Sequence, residues 1–311
     1  MHRTAYLILL LTMLLWAGNV IAGKLAVGHV SPMLLAMLRW GLALPILLAI
    51  GFRRLPRDME VLRRHLPYLL LMGVLGFTIY SVAMYCALLY TSAINISIEQ
   101  GGMPLLVFAA SFVLFRTRVG LAQFVGFTLS FAGVMLTALH GDFRRLFSLE
   151  MNFGDALMLV AVVSYGLYTA GLRLKPDLHW SSLMAALCVG GFVSAIPFAV
   201  AEAALGSMIL PDWQGWAIIA FVVLFPSILS QILYIRAVEM IGANRAGLFV
   251  NFMPLWGALL SVLILGEAVH LYHAVALTMV LGGIMIAEYG GHRMAVREAT
   301  TTGPEAPTNI H

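Results

Sequence analysis

The chain has 311 residues, of which 61% are hydrophobic and only 10% are charged. A soluble domain carries about 25% charged residues, so this composition excludes an ordinary soluble enzyme and indicates a protein that lies mostly in lipid. The net charge of +4 comes from basic residues at the ends of apolar runs, a pattern typical of membrane topology. We therefore expect the lipid bilayer as a partner and no nucleic acid.

Apolar runs of about 20 residues, the length that crosses a hydrocarbon core of roughly 30 Å, follow one another along the chain. Ten spans are predicted, at residues 5–25, 32–52, 66–90, 92–115, 119–139, 154–174, 181–204, 214–237, 244–265 and 270–290. The connections between them are short and leave no room for a soluble domain. The predicted fold class is an all-α polytopic membrane protein with ten transmembrane helices.

Basic residues are distributed unequally between the two sides of this topology. With the N-terminus in the cytoplasm, 14 Lys and Arg residues lie inside, and only Lys24, Arg144 and Arg145 lie outside. Because cytoplasmic loops carry the excess of Lys and Arg, both termini are predicted to be cytoplasmic. Residues 291–311 lack apolar periodicity and are predicted to form a disordered cytoplasmic tail.

The second half of the chain repeats the first at an offset of 150 positions. Residues 87–136 and 237–286 align without a gap with 12 identical residues, among them the Met-Pro-Leu motifs at 103–105 and 253–255. Chance agreement of two apolar segments is the alternative. It is disfavoured because the same offset also places Ser31 on Ser181.

An odd number of spans per copy means that the second copy crosses the membrane in the opposite sense. Two inverted five-helix repeats are therefore predicted, at residues 1–140 and 151–290. Inverted repeats with a site near the midplane are a transporter architecture. Pro104 and Pro254 are predicted to kink their helices and to leave carbonyl groups that water or substrate can use.

Polar side chains recur on single faces of corresponding spans in both halves. A single polar residue in a span more often makes a hydrogen bond between helices. Several polar faces together favour a shared cavity. An aromatic and weakly polar lining accepts apolar or aromatic groups, and ring faces also attract cations. The predicted cavity residues are Trp16, Asn19, Tyr80, Ser81, Tyr85, Asn95, Glu99, Tyr165, Tyr168, Gln231, Tyr234 and Asn251.

Two charged residues, Arg39 and Glu99, lie inside predicted spans. Each follows the outer start of its span by seven residues, so both lie roughly 10 Å below the outer boundary. An unpaired charge at this depth is costly, and an intramembrane ion pair is therefore predicted. The pair is either a structural brace or a site where Glu99 is released to bind a proton or a substrate amine.

The sequence contains no catalytic constellation, phosphate-binding loop or metal-ligand cluster, so no enzyme activity, cofactor or metal is expected. His270 and His273 are spaced i, i+3 without a third ligand, and they are interpreted as solvated surface residues. The sequence also shows no ATP-binding domain. A gradient of substrate or of protons is therefore the expected source of energy for transport.

Several short motifs resemble one known family. They are Leu15-Trp16-Ala17-Gly18-Asn19, Leu38-Arg39-Trp40, Met103-Pro104-Leu105, Gly266-Glu267 and Leu281-Gly282-Gly283-Ile284. In order and spacing they resemble the EamA type of the drug/metabolite transporter superfamily. Arg116-Thr117-Arg118 departs from the Gly-Glu pair that the family often has there, and Glu99 is not part of the family pattern.

The resemblance implies ten helices, a cavity formed by spans 1–4 and 6–9, and spans 5 and 10 set apart as scaffold or weak homodimer helices. It is strongest to bacterial inner-membrane exporters of amino acids, including aromatic ones. The expected function is therefore secondary active or facilitative export of amino acids and related metabolites by alternating access. The alternatives are export of organic cations, drugs or nucleosides, and, less favoured, a membrane scaffold or enzyme without transport.

Overall fold

In a computed structural model, the described residues are 2–104, 106–107, 109, 113, 120–141, 152–242, 246 and 249–301. They form helices and turns without a strand, so the predicted all-α fold is confirmed. The helices are α1 His2–Leu25, α2 Pro32–Gly51, α3 Leu55–Arg64, α4 Leu66–Ala87, α5 Ala93–Gln100, α6 Leu121–Ala138, α7 Phe153–Gly171, α8 Trp180–Ala204, α9 Trp213–Ile241, α10 Phe249–Leu265 and α11 Leu271–Thr301.

Within these residues, seven helices are long and apolar enough to cross a membrane: α1, α2, α4, α6, α7 (extended to Leu174), α8 and α9. Shorter apolar helices occupy Phe249–Leu265 and Leu271–Ala287. Many large apolar side chains point outward, among them Leu71 and Val193, each more than half exposed. An apolar surface of this extent is stable in contact with lipid, so the chain is a multi-pass membrane protein.

The structure adds a helix in one predicted connection and lengthens the last helix. The amphipathic helix α3 lies between the second and third spans and carries Arg57, Arg63 and Arg64. The predicted disordered tail is wrong in its first part, because α11 continues to Thr301. Residues 302–311, and seven residues in the second half of the predicted span 92–115, lie outside the described residues.

Helices of the first half pack against helices of the second. Such pairs are α2 with α8, α6 with α11, α5 with α10, α1 with α9 and α4 with α7, and α4 also packs against α8 and α1 against α10. Between α6 and α11 the glycines allow close contact: Gly126 lies against the Gly283 carbonyl, and Gly133 lies against the Ala276 carbonyl. These contacts run in opposite order along the two helices, so the helices are antiparallel.

One hydrogen bond in this interface joins residues that are 150 positions apart. The Ser130 hydroxyl donates to the Val280 carbonyl over 3.1 Å. Under the offset seen in the sequence, Val280 is the counterpart of Ser130. A residue that contacts its own counterpart lies close to the approximate twofold axis that would relate the two halves.

Wide π-helical turns interrupt α4 and α9 at corresponding positions, Val74–Ile79 and Val223–Leu229. Such turns free backbone carbonyls and often occur at functional sites. The Trp40 indole N–H donates to the Phe77 carbonyl over 3.0 Å, and the Trp16 indole N–H donates to the Pro226 carbonyl over 3.2 Å. A carbonyl in each π turn thus receives a side-chain donor from a neighbouring helix.

The prediction that Pro104 and Pro254 kink their helices is wrong, because the interruption lies before each proline. A turn at residues 101–102 ends α5, and Pro104 follows it by two residues. Pro254 lies in the first α-helical turn after the 3-10 turn Phe249–Phe252. Proline is tolerated there because the first N–H groups of a helix have no intrahelical acceptor. The helices are therefore interrupted just before the prolines.

One end of the bundle, which we call the outer end after the predicted topology, is tied together by carboxylates. Glu202 at the end of α8 accepts from the Ser31 hydroxyl (2.6 Å) and from the backbone N–H of Leu34 (3.0 Å). Glu267 after α10 accepts from the backbone N–H groups of Ala93 and Ile94 at 2.8 and 2.9 Å. Each acid caps the N-terminus of a helix from the other half.

A loop contact completes the outer end. His29 Nδ1 lies 2.7 Å from Asp212 Oδ2, and the Gly215 backbone N–H donates to Asp212 Oδ1 over 2.8 Å. These two partners, the Gly215 N–H first, hold the pKa of the Asp212 carboxyl below its usual range. The contact joins the α1–α2 loop to the start of α9.

Candidate functional site

A buried arginine lies between the two halves of the chain. Arg39 on α2 is 6% exposed, and its Nε donates to Ser227 Oγ over 2.7 Å. Its Nη1 donates to the Tyr85 hydroxyl over 3.0 Å, and its Cζ lies 4.6 Å from the centre of the Trp40 ring. The π turn of α9 supplies Ser227, so the local widening of that helix positions one of the two acceptors.

The partners of Arg39 are neutral. The Tyr85 hydroxyl donates onward to Asn19 Oδ1 over 2.9 Å, and the Ser227 hydroxyl donates to the Val222 carbonyl over 2.7 Å. No carboxylate of a described residue lies within ion-pair distance of the guanidinium. A buried cation without an anion is costly, and the site therefore favours an incoming negative group.

Aromatic rings surround this arginine. The Tyr80 and Tyr165 rings lie 5.0 Å apart, Tyr165 and Tyr168 lie 5.3 Å apart, and Trp16 and Tyr234 lie 5.4 Å apart. Tyr80 and Tyr165 lie deep in the bundle, and each keeps part of its surface accessible. We call this group the central cluster: Trp16, Asn19, Arg39, Tyr80, Tyr85, Tyr165, Tyr168, Ser227 and Tyr234.

The predicted ion pair between Arg39 and Glu99 is wrong. Arg39 turns towards α4 and α9, and neither carboxyl oxygen of Glu99 has a hydrogen-bond partner among the described residues. The prediction used the equal depth of the two residues. Depth does not fix the direction in which a side chain leaves its helix.

Glu99 and Asn95 belong instead to a second group, which we call the outer cluster: Asn95, Glu99, His140, Asp155 and His273. Asn95 Nδ2 lies 3.3 Å from His140 Nε2, and His273 Nε2 lies 3.0 Å from Asn95 Oδ1. Asp155 Oδ2 lies 3.7 Å from His140 Nδ1. His273 is 5% exposed, so its interpretation as a solvated surface residue is wrong.

The three remaining predicted residues have other surroundings. Ser81 is buried and accepts from the Trp40 indole over 3.3 Å, which braces α2 against α4. Gln231 is half-buried directly after the π turn of α9, and Asn251 is half-buried on the 3-10 turn that opens α10. The described part of the chain contains no group of three or more His, Cys, Asp or Glu side chains that could hold a metal ion.

Some site residues escaped the sequence analysis. Gln100 donates to the Tyr80 hydroxyl over 2.8 Å and so links α5 to the central cluster. Asp155 lies in the first turn of α7, where an acid is ordinarily a helix-terminus residue, and His140 lies in a turn after α6. Their positions at predicted span ends gave no signal that both would face Asn95.

The profile of the EamA-like transporter family matches the chain twice, at residues 3–139 and 152–289. The chain is 26% identical over 283 residues to the uncharacterized transporter YetK of Bacillus subtilis, covering 91% of this chain and 86% of that protein. It is 28% identical over 296 residues to an uncharacterized transporter of Archaeoglobus fulgidus, covering 94% and 100%. A solved structure described only as a crystal structure of protein shares the fold, with a TM-score of 0.64, 21% identity and coverage of 94% and 99%.

Proposed function

The chain belongs to the EamA-like transporter family, and from this premise we propose that it exports amino acids or related small metabolites by alternating access. The proposed location is a bacterial inner membrane with both termini in the cytoplasm. Transport is secondary active or facilitative. The observation that carries the substrate class is the buried Arg39, which has only neutral partners.

A carboxylate is the group that Arg39 is suited to bind. A guanidinium has five N–H donors, of which Ser227 and Tyr85 take two. The remaining donors form a planar fork that matches a carboxylate. An amino acid bound in this way places its side chain among the tyrosines, which favour apolar and aromatic bodies.

The charge of Arg39 also distinguishes between the candidate classes of substrate. Its positive charge repels organic cations, which the aromatic rings alone would attract. A neutral nucleoside leaves the guanidinium unpaired. Nucleosides therefore remain the second candidate, supported by the stacked rings, and cations are disfavoured.

Alternating access is supported by the relation between the halves. Residues 1–140 and 151–290 form the two proposed inverted repeats, and the antiparallel contacts of α6 with α11 agree with that inversion. The two π turns and the two helix interruptions also fall at corresponding positions. The halves then move about the central cluster as rigid bodies. A monomer suffices, and any weak homodimer uses the lipid-facing sides of α6 and α11, since their small-residue faces are occupied within the chain.

Uptake of labelled phenylalanine, its amide and a nucleoside into proteoliposomes tests the proposal. Arg39→Gln removes a charge-assisted hydrogen bond of about 1.5–3 kcal/mol, so amino acid flux at low concentration should fall by about 10- to 100-fold. Arg57→Gln on the exposed face of α3 is the control and should keep wild-type flux. Equal wild-type transport of phenylalanine and its amide would exclude carboxylate recognition, and nucleoside flux alone would favour the second candidate.

A further inference from the structure

The outer cluster holds two buried carboxyl groups that the proposed amino acid site does not use. Glu99 and Asp155 are both 0% exposed. Neither carboxyl oxygen of Glu99 has a hydrogen-bond partner among the described residues, and the oxygens of Asp155 face the Thr91 hydroxyl and the Asn95 amide without a hydrogen bond of ordinary geometry. Polar groups at this depth are ordinarily satisfied, so these two carboxyls need a ligand.

Among the described residues, no cation is placed to neutralise Glu99. Helices α1, α6, α7, α10 and α11 pack around α5. Their ionisable groups on this side are Lys24, His140, Asp155, Glu267, His270 and His273. Lys24 donates to the carbonyls of Leu88 and Thr91, Glu267 caps α5, and Asp155 adds a second acid that acts electrostatically on Glu99. Asp155 contacts His140, and His140 contacts Asn95, one helical turn before Glu99, so the two buried carboxyls belong to one cluster. Ionising both of them at this depth has a large cost, which favours binding of a proton by the pair.

Hydrogen bonds determine which ring nitrogen of His273 and of His140 carries the proton. The His270 backbone N–H donates to His273 Nδ1 over 3.0 Å, so the ring proton of His273 lies on Nε2 and is donated to Asn95 Oδ1. The Asn95 amide group therefore faces His140 Nε2, which accepts. The ring proton of neutral His140 thus lies on Nδ1, 3.7 Å from Asp155 Oδ2.

The same histidine reaches the surface. Its side chain is 28% exposed, and it lines an open cavity of about 400 Å³ with Leu136, Gly141, Leu271, Tyr272 and Val275. His140 therefore stands between this cavity and Asp155. Glu99 lies deeper, on the helix whose next residue, Gln100, bonds the Tyr80 hydroxyl of the central cluster.

We propose that Glu99 and Asp155 bind one exchangeable proton that enters from the outer end past His140 and drives export. A hydronium ion in the cavity protonates His140 at Nε2, which gives up its hydrogen bond from Asn95. The resulting imidazolium releases its Nδ1 proton to the Asp155 carboxylate, and Asp155 passes a proton to the Glu99 carboxylate. The neutral ring then turns back to the Nδ1–H tautomer. Proton binding at Glu99 is communicated to the substrate through the adjacent Gln100–Tyr80 bond. This inference rests on the proposed transport function.

Two measurements on the full-length protein test it. Infrared spectroscopy of reconstituted protein should show a protonated carboxyl band at neutral pH that shifts in D2O and is lost in Glu99→Gln or reduced in Asp155→Asn. In liposomes with the membrane potential clamped at zero, a pH difference of one unit should sustain about a tenfold amino acid gradient, if one proton moves per substrate. Both variants should lose this accumulation, and His140→Gln should slow its onset. Glu60→Gln, an exposed acid on α3, is the matched control and should behave as wild type.

The outcomes separate the two ideas. A carboxyl band that depends on Glu99, without any amino acid flux, would refute the proposed function and leave the proton site standing. Wild-type flux that ignores a pH gradient, or that follows a Na⁺ gradient instead, would overturn the proton site alone. If both carboxyl variants fail to fold, the wild-type spectrum decides, because absence of a protonated carboxyl band at neutral pH contradicts the inference.

Discussion

At the scale of single residues, the hydroxyl of Tyr85 connects two buried polar groups of the central cluster, Arg39 and Asn19. It accepts from Arg39 Nη1 and donates to Asn19 Oδ1. Both partners are buried, so the hydroxyl satisfies a donor and an acceptor that water cannot reach. The ring itself packs in the core and does not need the oxygen for its contacts.

Tyr85→Phe should therefore weaken the protein by about 1–3 kcal/mol, the cost of leaving buried polar groups unpaired. We also expect weaker apparent affinity for amino acids, because Arg39 loses the contact that orients it. Thermal unfolding in detergent and transport at several substrate concentrations measure the two effects. Tyr90→Phe, at an exposed ring, is the control. Unchanged stability and affinity would show that the hydroxyl does not organise the site.

A second residue-scale effect concerns pH. The pKa of Asp212 is lowered, so its carboxylate stabilises the fold above the ordinary aspartate value of about 3.9, and this contribution is lost as the pH falls through the lower folded value. Unfolding temperature measured across acidic pH should fall less steeply in Asp212→Asn than in the wild type. Parallel curves for the two proteins would contradict the assignment.

The sequence predicted which charged residues are buried more successfully than it predicted which side chains they contact. It placed Arg39 and Glu99 inside the membrane, and both are buried. It paired them wrongly because partner choice depends on how the two halves pack, and that packing directs Arg39 to α9 and Glu99 to the outer cluster. Asp155 and His140 were missed for the same reason.

At the scale of elements, most predicted spans coincide with helices of the structure, because a continuous apolar run needs no partner to be recognised. The π turns and the caps from Glu202 and Glu267 could not be predicted in this way. Each of them depends on groups that another helix supplies. The α6–α11 contact has a sequence signal in its glycines, but their partners are known only from the packing.

Gly126→Ala tests that contact. A Cβ at Gly126 would clash with the Gly283 carbonyl and lie 2.6 Å from the Ala287 nitrogen, so α6 and α11 must separate. Overpacking of this kind costs about 1–3 kcal/mol, which should lower the unfolding temperature in detergent. Gly282→Ala is the matched control, because no atom lies within 4 Å of its Cβ, and it should be neutral or slightly stabilising. Equal effects of the two changes would argue against close packing of these helices.

At the scale of the whole molecule, the outer end joins the two halves through Glu202, Glu267 and the His29–Asp212 contact. These contacts are polar and lie at helix ends. Such contacts break more readily than the apolar core between α2 and α8. The proposed export by alternating access requires this end to open, and it therefore predicts that these contacts break and re-form in each cycle.

A disulfide across the outer end tests this requirement. The Asp212 backbone N–H donates to the His29 carbonyl over 3.3 Å, so the two backbones are adjacent and a His29→Cys, Asp212→Cys pair can form a disulfide. The native Cys86 and Cys188 are retained in all variants. Oxidation of the double variant should stop amino acid flux, because the halves can no longer separate at this end, and reductant should restore it. Each single variant controls for the loss of the His29–Asp212 contact itself. Full flux through the oxidised double variant would mean that the substrate leaves by a route that keeps this end closed.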